Sequence, residues 1–371
     1  MASNTGWVWH EAYAWHDTGT AAGYLPSGGW LQPHENLESG DSKRRFAELV
    51  AVSGLGDELQ RIAAQPASVE DLLRFHAPQY VEKIRRLSAD AGGDAGELTP
   101  FGKGSWEIAC LSAGGCIALL DAVWSGRVRN GYSLNRPPGH HADADLGRGY
   151  CIFGNAVVAI RNLQARCGVA RVAVVDWDVH HGNGTQGGFY EDPSVLTISL
   201  HQDGNYPAES GSTEENGRGA GIGSNLNVPL PAGSGTGAYL SAFERVVLPA
   251  LERFRPEILV VLSGFDACNM DPLGRMMLHS NSYRQLTRLL MDAAERLCGG
   301  RLAMFHEGGY SPVYVPFCGV AVLEELSGRR SPVVDPFLPF WENLPGQRLQ
   351  AHQEAAITRA ARLVEAVPVP A

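Results

Sequence analysis

The sequence predicts an α/β fold: a mostly parallel sheet with helices on both faces. Two patterns carry this. Short apolar runs at 132–135, 172–176, 195–200, 258–263 and 302–306 have the length and bounding residues of buried strands. Helical patterns at 105–125, 153–166, 236–254, 281–298 and 348–366 lie between or after most of them. Strands joined through helices run parallel, and the crossovers cover both faces of the sheet. A third observation places function. Polar and glycine-rich segments follow the strand ends at 136–149, 177–188, 201–223, 264–275 and 307–311. Ligand sites in open α/β sheets form just beyond the carboxyl ends of strands.

Taken in order, 105–125 is rich in Ala and Leu and reads as a helix. The strand at 132–135 stops at Pro137-Pro138, since proline has no amide hydrogen to donate to a ladder. Val172-Ala173-Val174-Val175 is continuously apolar, as expected of a strand buried on both faces. The strands at 258–263 and 302–306 end in Gly264-Phe265-Asp266 and Glu307-Gly308-Gly309-Tyr310. Residues 89–104 read as an exposed surface loop, and no Pro/Ser linker divides the chain, so 1–371 is expected to be one domain.

The composition, 44% hydrophobic and 19% charged, is that of a globular protein. A net charge of −10 with no basic stripe argues against nucleic acid and suits a cationic substrate. The opening MASNTGWVWHEAYAW lacks a basic and an apolar leader region, and no run of eighteen apolar residues is present, so neither secretion nor a membrane is expected. The seven cysteines are scattered with no CxxC pair, which suggests buried free thiols in a reducing cytoplasm.

Asp176-Trp177-Asp178-Val179-His180-His181-Gly182-Asn183 packs carboxylates and imidazoles directly after a strand. Asp178, His180 and the strand-end Asp266 make a three-ligand set with room for water and substrate, the pattern of a catalytic zinc; two carboxylates also suit Fe²⁺, Co²⁺ or Mn²⁺. The same three residues could instead cap loops and fill a core. Pro137-Pro138-Gly139-His140-His141 sets a tandem histidine behind a rigid turn, suited to moving a proton. A surface pair is the plainer reading of His-His on its own. In Glu307-Gly308-Gly309-Tyr310 two glycines allow close backbone approach and the phenol can donate to an oxyanion; a buried tyrosine on a glycine turn is the alternative. Tyr150 and Tyr206 sit on glycine-rich loops that could wall a channel.

Read together, RPPGHH, GYCIFGNA, VDWDVHHGNGTQ, SVLTISLH, GFDACNMDPLG and EGGY, spread over a match from Trp7 to Leu326, resemble the zinc-dependent histone deacetylase superfamily, within it the class II branch and bacterial histone deacetylase-like amidohydrolases. The resemblance implies an arginase-deacetylase fold whose sheet has about eight strands. It implies one catalytic Zn²⁺ on Asp178, His180 and Asp266, with His141 as general base and acid and His140 as its electrostatic partner. Asp176 would orient His140, Asn183 would stand behind His141 as in class II members, and Tyr310 would donate to the oxyanion. Gly149, Tyr150, Tyr206, Leu273 and Gly308 would line the substrate channel, with the Gly149 carbonyl offered to the substrate amide. One structural K⁺ would lie at Asp176, Asp178, His180, Ser199 and Leu200, a second near Phe189, Asp192 and Val195, and Arg45 would gate an acetate exit path.

Three departures stand out. Tyr150 and Tyr206 replace the two phenylalanines that usually wall the acyl-lysine channel. Leu273 occupies the place of the glutamate found in polyamine-selective relatives. Ser39-Gly40-Asp41 replaces a His-Pro-Glu motif, so the N-terminal segment is expected to deviate. The resulting expectation is a cytoplasmic deacylase that removes acetyl or short acyl groups from Nε-acyl-lysine in peptides or proteins. The alternatives are an acetylpolyamine amidohydrolase or small-amide deacylase, a di-manganese ureohydrolase, and an inert acyl-lysine-binding scaffold. A homo-oligomer is compatible with any of them.

Overall fold

A computed structural model describes residues 4–370. Its centre is a sheet of eight strands: β1 (Thr5–Val8), β2 (Gln60–Arg61), β3 (Asn130–Ser133), β4 (Val172–Asp176), β5 (Val195–Gln202), β6 (Asn225–Leu230), β7 (Ile258–Ser263) and β8 (Leu302–His306). All pair in parallel, in the order β6-β5-β4-β7-β8-β3-β1-β2. The α/β class and the eight-stranded sheet follow the expectation.

Strand alternation divides the core in two. Ala173 and Val175 of β4, Leu259 and Val261 of β7, and Leu302 and Met304 of β8 face one cluster. Their neighbours Val172 and Val174, Val260 and Leu262, and Ala303 and Phe305 face the other. The first cluster is closed by helices that include Asp41–Val52, Ser280–Cys298 and Val315–Ser327. The second is closed by Ser105–Trp124 and Asn155–Cys167. Burial on both faces explains why the central strands are apolar without a polar face.

Ser105–Trp124 is long and apolar enough by composition to cross a membrane, and 67% of its apolar window is buried inside the molecule. It is therefore accounted for as a core helix packed on Asn155–Cys167. The helix expected at 236–254 contains a wide π turn at Phe243–Val247, ahead of Pro249. Proline has no amide hydrogen for the regular ladder, so a local change of winding falls where one is tolerated.

The topology positions the site. From β4 the chain steps outward to β5 and β6, then returns to β7 on the opposite side of β4. Strand order reverses between β4 and β7, and a crevice opens there at the carboxyl ends. Asp178 follows β4 and Asp266 follows β7, so two distant sequence segments meet at this switch point.

Two expectations need correction. The strand expected at 132–135 is Asn130–Ser133, two residues earlier. Residues 89–104 are not a plain exposed loop. Gly93–Asp94 pairs with Pro100–Phe101, Gly96–Glu97 pairs with Gly147–Arg148, and Ala95, Thr99 and Phe101 are buried. The seven cysteines are unpaired, six of them buried and Cys167 exposed.

Candidate metal centre and catalytic pocket

Asp178 and Asp266 are fully buried and His180 nearly so, and their ligand atoms lie within 4.8 Å of one another. His180 Nδ1 lies 3.0 Å from Asp178 Oδ1 and 3.2 Å from Asp266 Oδ2. Backbone amides hold the carboxylates from behind. Gly308 N donates to Asp178 Oδ2 at 2.7 Å, and Val179 N donates to Asp266 Oδ1 at 2.8 Å. Gly308 has to be glycine here, because a Cβ would come within 1.9 Å of Asp266 Oδ2.

Burial by itself would lower the His180 pKa, but its hydrogen bonds to Asp178 and Asp266 outweigh this and raise it to about 10. The arrangement is a buried double anion that demands positive charge. Apart from its 3.2 Å contact with His180 Nδ1, Asp266 Oδ2 has no polar partner. Two carboxylate oxygens and one imidazole nitrogen gathered in this way fit a divalent metal with an open coordination position.

The tandem histidines flank this group. Gly139 N and His140 N both donate to Glu307 Oε2, at 2.7 and 3.0 Å, which clamps the turn. His140 Nδ1 is 3.0 Å from Asp176 Oδ2. Burial opposes charge on His140, yet Asp178 and Asp176 overcome it and raise its pKa to about 10. His141 behaves oppositely: burial, followed by the charges of His140 and His180, pushes it well below the usual histidine range. Asn183 Oδ1 is 2.8 Å from His141 Nδ1, and Asn183 Nδ2 donates to the His141 carbonyl. With Nδ1–H donating to Asn183, Nε2 of His141 is left as an acceptor in the pocket.

Above these groups lies a narrow cavity of about 160 Å³, lined among others by Gly149, Tyr150, Tyr206, Leu273 and Tyr310. Gly149 has φ 47°, and a Cβ there would sit 2.6 Å from the His141 ring. Tyr150 holds φ 68°, a strained region for a bulky residue that is found mostly at functional positions. The Tyr206 ring meets the His141 ring edge-on at 5.0 Å. Tyr310 N donates to Asp271 Oδ2 at 2.8 Å, and the same carboxyl accepts from Leu273 N. One carboxyl thus ties two pocket walls together. Tyr24, at the turn of the Thr20–Ala22 and Leu25–Pro26 hairpin, and Leu98 complete the rim.

The other site expectations divide. His181 has both ring nitrogens engaged, with Ser210 Oγ at 2.8 Å and Gln186 Oε1 at 3.0 Å, so it supports structure and is absent from the ligand group. Asp176 and Ser199 are paired across β4 and β5, beside a cavity of about 10 Å³, and Leu200 is the next residue of β5. Around Phe189, Asp192 and Val195, the carbonyls of Phe189 and Asp192 already accept backbone amides, and the Asp192 carboxylate pairs with Arg161.

Arg45 does not reach the interior. Its side chain is 54% exposed and bridges to Asp41. Lys43 takes the interior position instead: its Nζ lies 5.2 Å over the Tyr310 ring, 3.4 Å from the Gly309 carbonyl and 3.4 Å from Glu38 Oε1. Arg136 completes this buried cluster, donating to Glu38 Oε2 and to the carbonyls of Tyr13 and His16. Sequence reading passed over Glu38, Arg136 and Asp271, and it placed Lys43, within Lys43-Arg44-Arg45, on a solvated helix face, whereas the structure buries it. The available signal was a charged residue, Arg136, set between a buried strand and a Pro-Pro turn.

A model of the histone deacetylase domain matches residues 37–326. The chain is 54% identical over 345 residues to a histone deacetylase-like amidohydrolase of Pseudomonas aeruginosa, covering 92% of this chain and 91% of that protein. It is 37% identical over 330 residues to histone deacetylase 8 of Arabidopsis thaliana, covering 85% and 86%. The crystal structure of the HD domain of HDA15 superposes with a TM-score of 0.84 at 32% identity, covering 97% of this chain and 95% of that one. That likeness makes the sheet and its helices the arginase-deacetylase fold. Matched over most of its length by sequence and by structure, and carrying at its switch point a buried group of side chains able to hold a metal ion, the chain belongs to the histone deacetylase family of metal-dependent amide hydrolases.

Proposed function

We propose that the chain is a zinc-dependent deacylase that hydrolyses the side-chain amide of Nε-acetyl-lysine, or of a lysine carrying another short acyl group, in peptides or proteins. The observation that carries this is the convergence of Asp178, His180 and Asp266 beneath a narrow pocket that also holds His141 and Tyr310. Zinc held by these three residues would polarise the amide carbonyl and make a bound water more acidic.

The chain's own residues supply the rest. His141, neutral and tethered by Asn183, takes a proton from the attacking water through Nε2. The water oxygen bonds to the acyl carbon, and the Tyr310 phenol donates to the oxygen that becomes negative. His141 then returns the proton to the departing lysine nitrogen as the C–N bond breaks, giving a carboxylate and a free amine. His140, held by Asp176, keeps positive charge beside the reacting centre. Leu273 and the aromatic walls suit an aliphatic lysine stem, and the Gly149 carbonyl would orient the substrate amide. Gly308, expected to line the channel, is not among the residues lining the pocket; it leaves room for the Asp178 and Asp266 carboxylates behind it. A structural K⁺ at Asp176, Asp178, His180, Ser199 and Leu200, one catalytic domain over 1–371 and a cytoplasmic location complete the reading.

A second reading, hydrolysis of acylpolyamines, is favoured by the rim. Glu97, Asp143 and Glu209 gather around a single arginine, Arg148, which leaves excess negative charge near the mouth. Comparing kcat/KM of the zinc-loaded enzyme on an acetyl-lysine peptide and on acetylputrescine separates the two. The lysine reading expects the peptide to be preferred by at least about tenfold, since acetylputrescine presents a second ammonium to Leu273. Preference for acetylputrescine would transfer the assignment to polyamines.

A further inference from the structure

The Gly309–Tyr310 peptide unit is held at both ends. Ser42 Oγ and Lys43 Nζ donate to the Gly309 carbonyl, at 2.8 and 3.4 Å. At the other end Tyr310 N donates to Asp271 Oδ2 at 2.8 Å. Two glycines precede the tyrosine, and Gly309 has φ 129°, so local torsional preference does little to fix the chain there. Hydrogen bonds from other segments have to do it, and the N–H end rests on Asp271.

The second oxygen of Asp271 holds another part of the pocket. Oδ1 accepts from Leu273 N at 2.8 Å and from Gly274 N at 3.2 Å. Leu273 lines the pocket, and Gly274 packs so closely on the 266 loop that a Cβ there would lie 2.1 Å from the Asp266 carbonyl oxygen. Three N–H groups, from the loops that follow β7 and β8, thus converge on one buried carboxyl. A carboxylate serves all of them because both of its oxygens accept. An amide of the same shape has a single oxygen, and its NH₂ group would have to face an N–H. The position therefore asks for an acid and not only for its shape.

We propose that Asp271 is a positioning residue for the reaction: it fixes the Tyr310 phenol where the oxyanion forms and keeps it in register with the channel wall at Leu273. The proposal rests on the deacylase reading of the site. Asp271 acts through Tyr310 and does not itself touch substrate. A residue that works through the phenol has nothing left to work on once the phenol is gone. Its substitution should be costly in wild type and nearly silent in Tyr310→Phe.

The test is a double-mutant cycle on the zinc-loaded full chain with an acetyl-lysine peptide: wild type, Asp271→Asn, Tyr310→Phe and the two together. Asp271→Asn should lower kcat about tenfold, less than the loss of about 10²–10³ expected when the phenol is removed. KM should stay within about threefold of wild type, and zinc content should match it. In the Tyr310→Phe background the same substitution should cost less than about twofold in kcat. Equal losses in the two backgrounds, an unchanged kcat, or a loss of bound zinc would overturn the proposal. So would a loss carried by KM alone, which would confine Asp271 to the channel wall. Asp271→Ala, which brings no second donor, takes the place of the amide variant if that one does not fold; failure of both to fold makes the carboxyl a structural prop and also overturns the proposal. If wild type hydrolyses the peptide and the cycle shows no coupling, only the role of Asp271 fails. If wild type hydrolyses no acyl-lysine at all, the deacylase reading fails and takes this one with it.

Discussion

Tyr310 depends on neighbours that hold its backbone rather than its phenol. Asp271 accepts its amide, while Ser42 Oγ and Lys43 Nζ both donate to the carbonyl of Gly309 just before it. In the proposed mechanism the hydroxyl serves the substrate, so removing it should cost rate and little else. Tyr310→Phe should lower deacetylase turnover by about 10²–10³-fold with zinc content and melting temperature near wild type; turnover within a few-fold of wild type would remove Tyr310 from the chemistry. At this scale the candidate ligand group was legible because Asp178 and His180 are close neighbours at one strand end. The Lys43–Glu38–Arg136 cluster was not, because Arg136 meets Glu38 across 98 positions. The gating role expected of Arg45 fails for a geometric reason. Residues two apart on a helix point about 200° apart, so with Lys43 facing Tyr310, Arg45 faces solvent.

Elements are joined to the site by buried polar contacts that also set pH limits. His76 Nδ1 faces the Ala144 carbonyl at 3.2 Å, and Nε2 accepts from Gly154 N at 2.9 Å, so the ring ties the 144 loop to the start of Asn155–Cys167 as a neutral tautomer. Protonation would set Nε2–H against the Gly154 amide. Burial lowers the His76 pKa to about 4, only partly offset by the backbone carbonyls. A folded pKa below the unfolded value of about 6.5 means the unfolded state binds the proton first. The stability this group contributes is present above pH 6.5 and is lost as pH falls toward 4. Denaturant unfolding at pH 7 and pH 5 should show that loss, and His76→Gln should flatten the dependence; an unchanged slope would show that His76 titrates normally. The two-residue offset of β3 has an equally local cause. Asn130-Gly131 has weak strand character on its own, but a Cβ at Gly131 would lie 2.7 Å from the Gly6 carbonyl, so close approach of β1 and β3 requires glycine there. That requirement appears only once the partner strand is known. In the same way the 89–104 segment reads as a loop until its pairing with Gly147–Arg148 is seen.

For the molecule as a whole, topology links composition to chemistry. A sheet buried on both faces makes the central strands legible as apolar runs, and its reversal between β4 and β7 brings Asp178 and Asp266 together. The edge strand β6 is almost wholly buried, but Asn225, Asn227 and Pro229 interrupt its apolar run, and the two-residue β2 is too short to show one. The buried ligand group then makes the whole account testable at one point. Hydrolysis of an acetyl-lysine peptide should be followed on enzyme stripped of metal and titrated back with zinc. The account predicts that stripping abolishes turnover and that about one equivalent of zinc restores it, with Asp266→Asn failing to recover at that stoichiometry. Full turnover by verified metal-free enzyme, or equal recovery by Asp266→Asn, would contradict it.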